Sequence, residues 1–237
     1  MSPKGARSGD SGGASTAVSC SGLTKSYGEA TALDGVDLRL GKGQTVVLIG
    51  PNGSGKTTLL RIVAGLLEPS QGEVRVLGAK AGSIEARSVT AYIPDNPVLY
   101  DDLSVEEHLE YVARLHGASE WGDRADDLVG RLGLADRSEQ LPSRFSRGLR
   151  QKTAIAVALV RPSSVLLVDE PFVGLDRPGR DALLDLLDEV AAQGVTVVVA
   201  THQADYLERA RRCVGMRDGR VAYDGPATAK AVGELLG

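Results

Sequence analysis

The chain has 237 residues, 42% hydrophobic and 24% charged, with a formal net charge of −4 at pH 7. That length suits one elaborated α/β domain, and a mildly acidic balance without a basic stripe argues against a nucleic-acid partner. The two cysteines, Cys20 and Cys213, fit neither a metal spacing nor a disulfide framework and read as small core residues in a reducing compartment.

Residues 1–16 are rich in Gly, Ser and charge, with no apolar stretch. They read as a disordered tail, since nothing there offsets the entropy of ordering, and they lack the apolar centre of a secretory signal. No run approaches the ~18 apolar residues of a membrane span, so any work at a membrane would go through a partner. The domain over 17–237 opens with two β-segments split by a turn near Gly28-Glu29, and Leu33, Val36, Leu38 and Leu40 partly alternate, as in a half-buried strand. Tyr27 is either a plain strand aromatic or a platform for a stacking base, and spacing alone favours the first.

The apolar run Thr45 to Ile49 leads into Gly50-Pro51-Asn52-Gly53-Ser54-Gly55-Lys56-Thr57-Thr58, after which Leu59, Leu60, Ile62 and Val63 recur at helical spacing. A strand, a glycine loop and a helix start are the setting a P-loop requires. Glycines let successive backbone N–H groups turn in around an anion, and the helix dipole adds positive field. Lys56 can then reach the outer phosphates and the Thr57 hydroxyl can ligate Mg²⁺, so the loop predicts nucleoside triphosphate binding.

Downstream, Glu73 to Gly78 reads as a short strand and Val89 to Ile93 as another that stops at Pro94. From 95 to 161 helical periodicity takes over. Leu103, Val105, Leu109, Val112 and Leu115 form one amphipathic stripe with a Ser104/Glu107 capping box, and Leu128, Val129, Leu132 and Leu134 form a second. The sheet texture returns with Val165 to Asp169, a continuous apolar run expected of a parallel strand buried on both faces. A helix over Pro178 to Ala192, a strand over Val195 to Ala200, and two short strands with a closing helix over Cys213 to Gly237 complete the pattern. Ligands gather at the carboxyl ends of parallel strands. Three such ends here carry polar groups: the P-loop, Asp169-Glu170 and Thr201-His202. An aspartate in that place can hold Mg²⁺ and a second carboxylate can polarise the attacking water.

Six segments together resemble the nucleotide-binding subunit of an ABC transporter, over essentially all of 17–237. GPNGSGKTT is similar to its Walker A motif, VLLVDEP to Walker B, Val173-Gly174-Leu175-Asp176 to the D-loop, Thr201-His202 to the H-switch, and Lys25 to Gly28 to the aromatic A-loop. Phe145-Ser146-Arg147-Gly148-Leu149-Arg150-Gln151 resembles the signature motif and lies between the two Walker motifs, at the end of the helical stretch. The resemblance implies a P-loop NTPase with a RecA-like core sheet, an antiparallel β subdomain and an inserted α-helical subdomain over 95–161. It also implies ATP and Mg²⁺ as ligands, Thr57 and Asp169 at the metal, Lys56 on the phosphates, Glu170 as general base and His202 on the γ-phosphate. Tyr27 becomes an adenine platform, and Asp176 joins the nucleotide-binding set.

In such a family two copies, or a copy and a related ATPase, close head to tail, so that Ser146 and the Gly148 amide meet the other subunit's γ-phosphate. The partner is a transmembrane permease, which places the chain at the cytoplasmic face of the membrane. Two departures stand out. The signature commonly reads LSGGQ, and here Arg147 precedes the retained glycine and Leu149 follows it; this resembles exporters of the drug, antibiotic and ABC-2 type. The Q-loop glutamine expected after Tyr92-Ile93-Pro94 is Asp95, which brings a full charge that would ligate a cation or repel a phosphate. We expect Asp95 to couple nucleotide state to the permease; Pro97, Val98, Leu99 and Tyr100 nearby are either exposed apolar contacts or residues that pack the helical insertion onto the sheet. A soluble ABC ATPase acting on ribosome or DNA is the rival class. It fits less well, because the chain has one cassette, only 90 positions (146 − 56) between Lys56 and Ser146, and no zinc cysteines.

Overall fold

The computed structural model describes residues 16–201, 206–228 and 233. The tail over 1–15, His202 and most of the closing helix lie outside the described residues.

The opening hairpin joins β1 (Thr16–Tyr27) to β2 (Ala30–Gly41), and the P-loop strand β3 (Thr45–Ile49) runs into α1 (Lys56–Val63). Then come β4 (Gln71–Val76), β5 (Ala79–Lys80), α2 (Ile84–Val89) and β6 (Thr90–Ile93). The helical stretch holds α3 (Val105–Leu115), α4 (Trp121–Arg131), two 3₁₀ turns and α5 (Arg147–Leu159). The chain closes with β7 (Val165–Asp169), α6 (Arg177–Ala192), β8 (Thr196–Ala200), β9 (Arg212–Arg217) and β10 (Arg220–Pro226). Helix α2 is absent from the sequence reading. Val89 ends that helix instead of opening the following strand, and β4 stops at Val76 because Leu77 and Gly78 both turn with positive φ.

Two sheets form. The antiparallel one has the order β2-β1-β4-β5, and the larger one β10-β9-β3-β8-β7-β6, with β9, β3, β8, β7 and β6 all parallel. The carboxyl ends of β3, β6, β7 and β8 therefore share one edge. Period-two alternation divides the large sheet between two cores. Val47, Ile49, Leu166, Val168, Val197 and Val199 face α3, α5 and α6, whereas Val46, Leu48, Val165, Leu167 and Val198 face α1 and the antiparallel sheet. Both faces are covered, which is why these strands read as unbroken apolar runs. Cys20 and Cys213 are buried, one in each core, and burial pushes the Cys20 thiol up to about 12 and the Cys213 thiol to about 11.

The capping box on α3 is formed: Ser104 Oγ accepts from Glu107 N at 3.2 Å, and Glu107 Oε2 accepts from Ser104 N at 2.7 Å. Inside that helix His108 is buried. Its Nε2 accepts from Tyr100 N at 2.9 Å while Nδ1 sits 2.7 Å from Ser104 O, an arrangement satisfied by neutral imidazole protonated on Nδ1.

Helix α4 is tied to α6 by a charge network. Arg131 and Arg124 lie 2.6 and 2.9 Å from the two carboxylate oxygens of Glu189, and both also reach Asp127. The Arg131 bond leads the effects that hold the Glu189 carboxyl below its ordinary range. A depressed carboxyl stabilises the fold above its unfolded pKa, and the contribution is lost as pH falls through the lower native value. After discounting for solvent screening, Glu189→Gln is expected to cost about 0.5–1 kcal/mol near neutral pH. The difference should shrink toward zero in urea titrations below about pH 4.

Candidate active site

Three of the large sheet's strand ends meet at one corner. Beyond β3 the chain turns through Gly50–Gly55, and α1 starts with Gly55 as its N-cap at φ 101°, a conformation that glycine adopts freely. A Cβ at Gly55 would lie 2.6 Å from Ala32 O, and one at Gly50 2.2 Å from Met216 O, so β2 and β9 press on the loop. The loop is tight because its neighbours leave room only for backbone.

Lys56 is nearly buried and curls into this loop, where Nζ donates to Gly50 O at 2.7 Å and Pro51 O at 3.1 Å. Burial lowers its pKa, while the charges of Glu170 and Asp169 work in the opposite sense. Ser54 Oγ is buried and, among the described residues, has no hydrogen-bond partner. A buried hydroxyl left without a partner inside a glycine cradle suits an anion acceptor.

Across from the loop, the fully buried Asp169 ends β7. Thr57 Oγ1 donates to its Oδ1 and the Tyr92 hydroxyl to its Oδ2, each at 3.2 Å. Burial raises the Asp169 carboxyl, and those two hydrogen bonds oppose the rise; the charges of Glu170 and Asp95 add to it. A threonine hydroxyl and a carboxylate are hard oxygen donors of the kind Mg²⁺ takes, so the residues present fit that ion. Glu170 follows directly, at φ 44°, with its N–H donating to Ala200 O at 2.8 Å. A left-handed glutamate is strained, and it persists where the surrounding structure over-determines it. Anchored to β8 this way, its carboxyl is presented at the corner shared with Asp169 and the loop.

The remaining predicted residues divide. Tyr27 is half exposed at the end of β1, with Lys25 Nζ 5.1 Å from its ring centroid, so it is no core aromatic. Ser146 caps α5 by accepting from Leu149 N at 3.3 Å, and Gly148 abuts the backbone of Gly174. Asp176 caps α6 through Gly179 N at 3.2 Å and pairs with Lys152 at 2.8 Å, a bond that lowers its carboxyl pKa. Asp95 forms an ion pair with Arg147. Pro97 is buried, while Val98 and Tyr100 are exposed. Tyr92 is the functional neighbour that sequence reasoning missed, used there only to locate Pro94; an aromatic at a strand's carboxyl end was the available signal.

The family model for the ABC transporter matches residues 33–173. The SkfA peptide export ATP-binding protein SkfE of Bacillus subtilis (strain 168) is 33% identical over 205 residues, covering 85% of this chain and 86% of its own. The aliphatic sulfonates import ATP-binding protein SsuB 1 of Mesorhizobium japonicum is 38% identical over 206 residues, covering 86% and 76%. Among solved structures, a dimeric post-hydrolysis state of the ATP-binding cassette MJ0796, bound to ADP and Pi, superposes with a TM-score of 0.80 at 27% identity, over 90% of this chain and 99% of that one.

Proposed function

Because the chain belongs to the ABC transporter family as an ATP-binding ATPase cassette, we propose that it powers export through a separate transmembrane permease, paired head to tail with a second cassette. The observation that carries the catalytic part is the Thr57–Asp169 bond beside Glu170 at the mouth of the Gly50–Thr58 cradle.

The loop amides and Lys56 bind the triphosphate, the ammonium sitting within hydrogen-bond reach of the loop carbonyls until phosphate oxygens take its donors. Thr57 and Asp169 would hold Mg²⁺, which would supply neutralisation of the charge that develops on the phosphate oxygens. Glu170 accepts a proton from the attacking water, its direction set by the bond from its own N–H to Ala200. Tyr27 offers its exposed ring to the adenine, and His202 contacts the γ-phosphate. The N-terminus of α5, with Ser146 and Gly148, meets the triphosphate of the opposing cassette. That is the same anion physics as the P-loop. ATP then favours the closed pair over ADP, because only ATP offers the γ-phosphate. Support for pairing comes from the dimer seen for MJ0796.

Among the described residues no helix is long and apolar enough to cross a membrane. In this reading the permease is the transmembrane element and the cassette sits at its cytoplasmic face. Support for export comes from the Arg147–Leu149 signature variant and from SkfE's naming as a peptide export protein. The docking surface is the exposed apolar patch of Val98, Tyr100, Tyr111 and Leu115, in which the Tyr100 and Tyr111 rings stack edge to face at 5.6 Å. Val98 is 91% exposed, so among the described residues nothing covers this apolar side chain. Val98→Asp should therefore leave the isolated cassette's ATPase within about twofold of wild type and abolish co-purification with the permease. Retained co-purification would move the docking site elsewhere. Uptake of labelled cargo into inside-out vesicles holding both subunits tests direction, and accumulation in right-side-out vesicles instead would make the system an importer.

A further inference from the structure

The two departures from the family's motifs meet each other. Asp95 lies two residues beyond β6 and Arg147 is the first residue of α5, 52 positions later, yet Arg147 Nη2 is 2.9 Å from Asp95 Oδ1. The bond has company. Arg150 Nη2 donates to Pro97 O at 3.2 Å and the Gln151 side-chain amide to Pro94 O at 3.4 Å. Three side chains from the first two turns of one helix thus hold one four-residue segment.

An ion pair this exposed, with side chains 44% and 55% accessible, adds little to stability by itself. Its weight lies in where the carboxylate points. Asp95 is near enough to Asp169 for its charge to act on that carboxyl, at the corner where the cradle and the metal ligands converge. A bare carboxylate there has the same sign as a triphosphate. The bonds to the Pro94 and Pro97 carbonyls hold the backbone on either side of Asp95, and Arg147 is the cation that meets its carboxylate.

We propose that Arg147 is a positioning residue that neutralises Asp95 and holds it against α5, so that the charge replacing the Q-loop amide does not repel the nucleotide. The two departures are one compensated pair. A movement of α5 that parts Arg147 from Asp95 would then weaken the cassette's grip on ATP, linking the signature helix to the metal corner within one subunit. This rests on the ATPase reading above.

The test is a four-member cycle, with wild type, Arg147→Ala, Asp95→Asn and the double variant read as KM and kcat for MgATP and as binding of a fluorescent ATP analogue. Arg147→Ala should raise KM roughly three- to tenfold, as expected of an unscreened charge several ångströms away in a partly solvated site. The defect should fade above about 0.5 M salt. Adding Asp95→Asn should bring KM back to within about twofold of wild type, a suppression that a merely structural role for Arg147 would not give. Arg147→Gln, closer in shape, replaces Arg147→Ala if the latter melts early. An unchanged KM in the single variant, or a double variant as weak as the single, overturns the proposal. Failure of the ATPase reading looks different, since wild type itself would then bind no MgATP.

Discussion

Glu170→Gln is expected to lower ATP turnover by about 10²–10⁴-fold while MgATP still binds. The change disturbs little else. Glutamine keeps the length and most of the polarity of the side chain, and the 2.8 Å bond from the residue's N–H to Ala200 belongs to the backbone. The strained φ of 44° is common to both residues. What disappears is the proton affinity of the carboxyl that directly follows Asp169. Asp169 cannot substitute, because both its oxygens already accept those bonds and it would hold the metal. With binding intact and hydrolysis blocked, the ATP-bound pair of cassettes should accumulate, visible as a dimer in size-exclusion chromatography with ATP and as a monomer with ADP. Lys56→Ala makes the contrast, losing binding and dimer together. Turnover within about threefold of wild type in Glu170→Gln would remove the general-base assignment.

Much of this site is legible in the sequence because its parts are local. Thr45 to Ile49, the glycines behind it and the helical spacing from Leu59 onward are contiguous, and one short-range pattern carries strand, loop and helix at once. The same holds for the Ser104/Glu107 capping box and for Val165 to Asp169. Long-range facts were hidden. Nothing in the spacing says that Tyr92 reaches Asp169, because that bond exists only once β6 pairs with β7 and sets Ile93 beside Val168. The Asp95–Arg147 pair was likewise visible only as two separate oddities. Helix α2 escaped because six residues cannot establish a 3.6 period, although the Ser83 side chain caps it. Pro97 is buried, with its carbonyl accepting from Arg150 of α5, a contact that spans 53 positions and leaves no mark in local spacing. The division of Val46 and Leu48 from Val47 and Ile49 between two cores follows from layering, which an all-apolar run does not encode. His202 falls outside the described residues, so its role rests on the motif alone.

Gly148→Ala should reduce ATPase by about 10–100-fold while lowering the melting temperature only a few degrees. A Cβ at this position would stand 2.4 Å from the Gly174 carbonyl oxygen, a separation backbone atoms must move to relieve. The segment that has to give is the turn between β7 and α6. It carries Glu170 at one end and Asp176 at the other, and Gly174 itself holds φ 82°. Asp176 is anchored by Gly179 N and Lys152 and Glu170 by its own N–H to Ala200 O, so the displacement strains a turn held at both ends, and a shift of about 1 Å at the base can cost about 10²-fold in rate. The α5 helix should survive, because its cap at Ser146 is untouched and alanine is the better helix former. Gly130→Ala separates this from any general cost of filling a glycine. That position lies inside α4 with open space around the new methyl, and there the same substitution should leave activity unchanged and add up to about 1 kcal/mol of stability. If Gly148→Ala retains wild-type turnover, the contact between the signature helix and the turn after Glu170 plays no part in aligning the base.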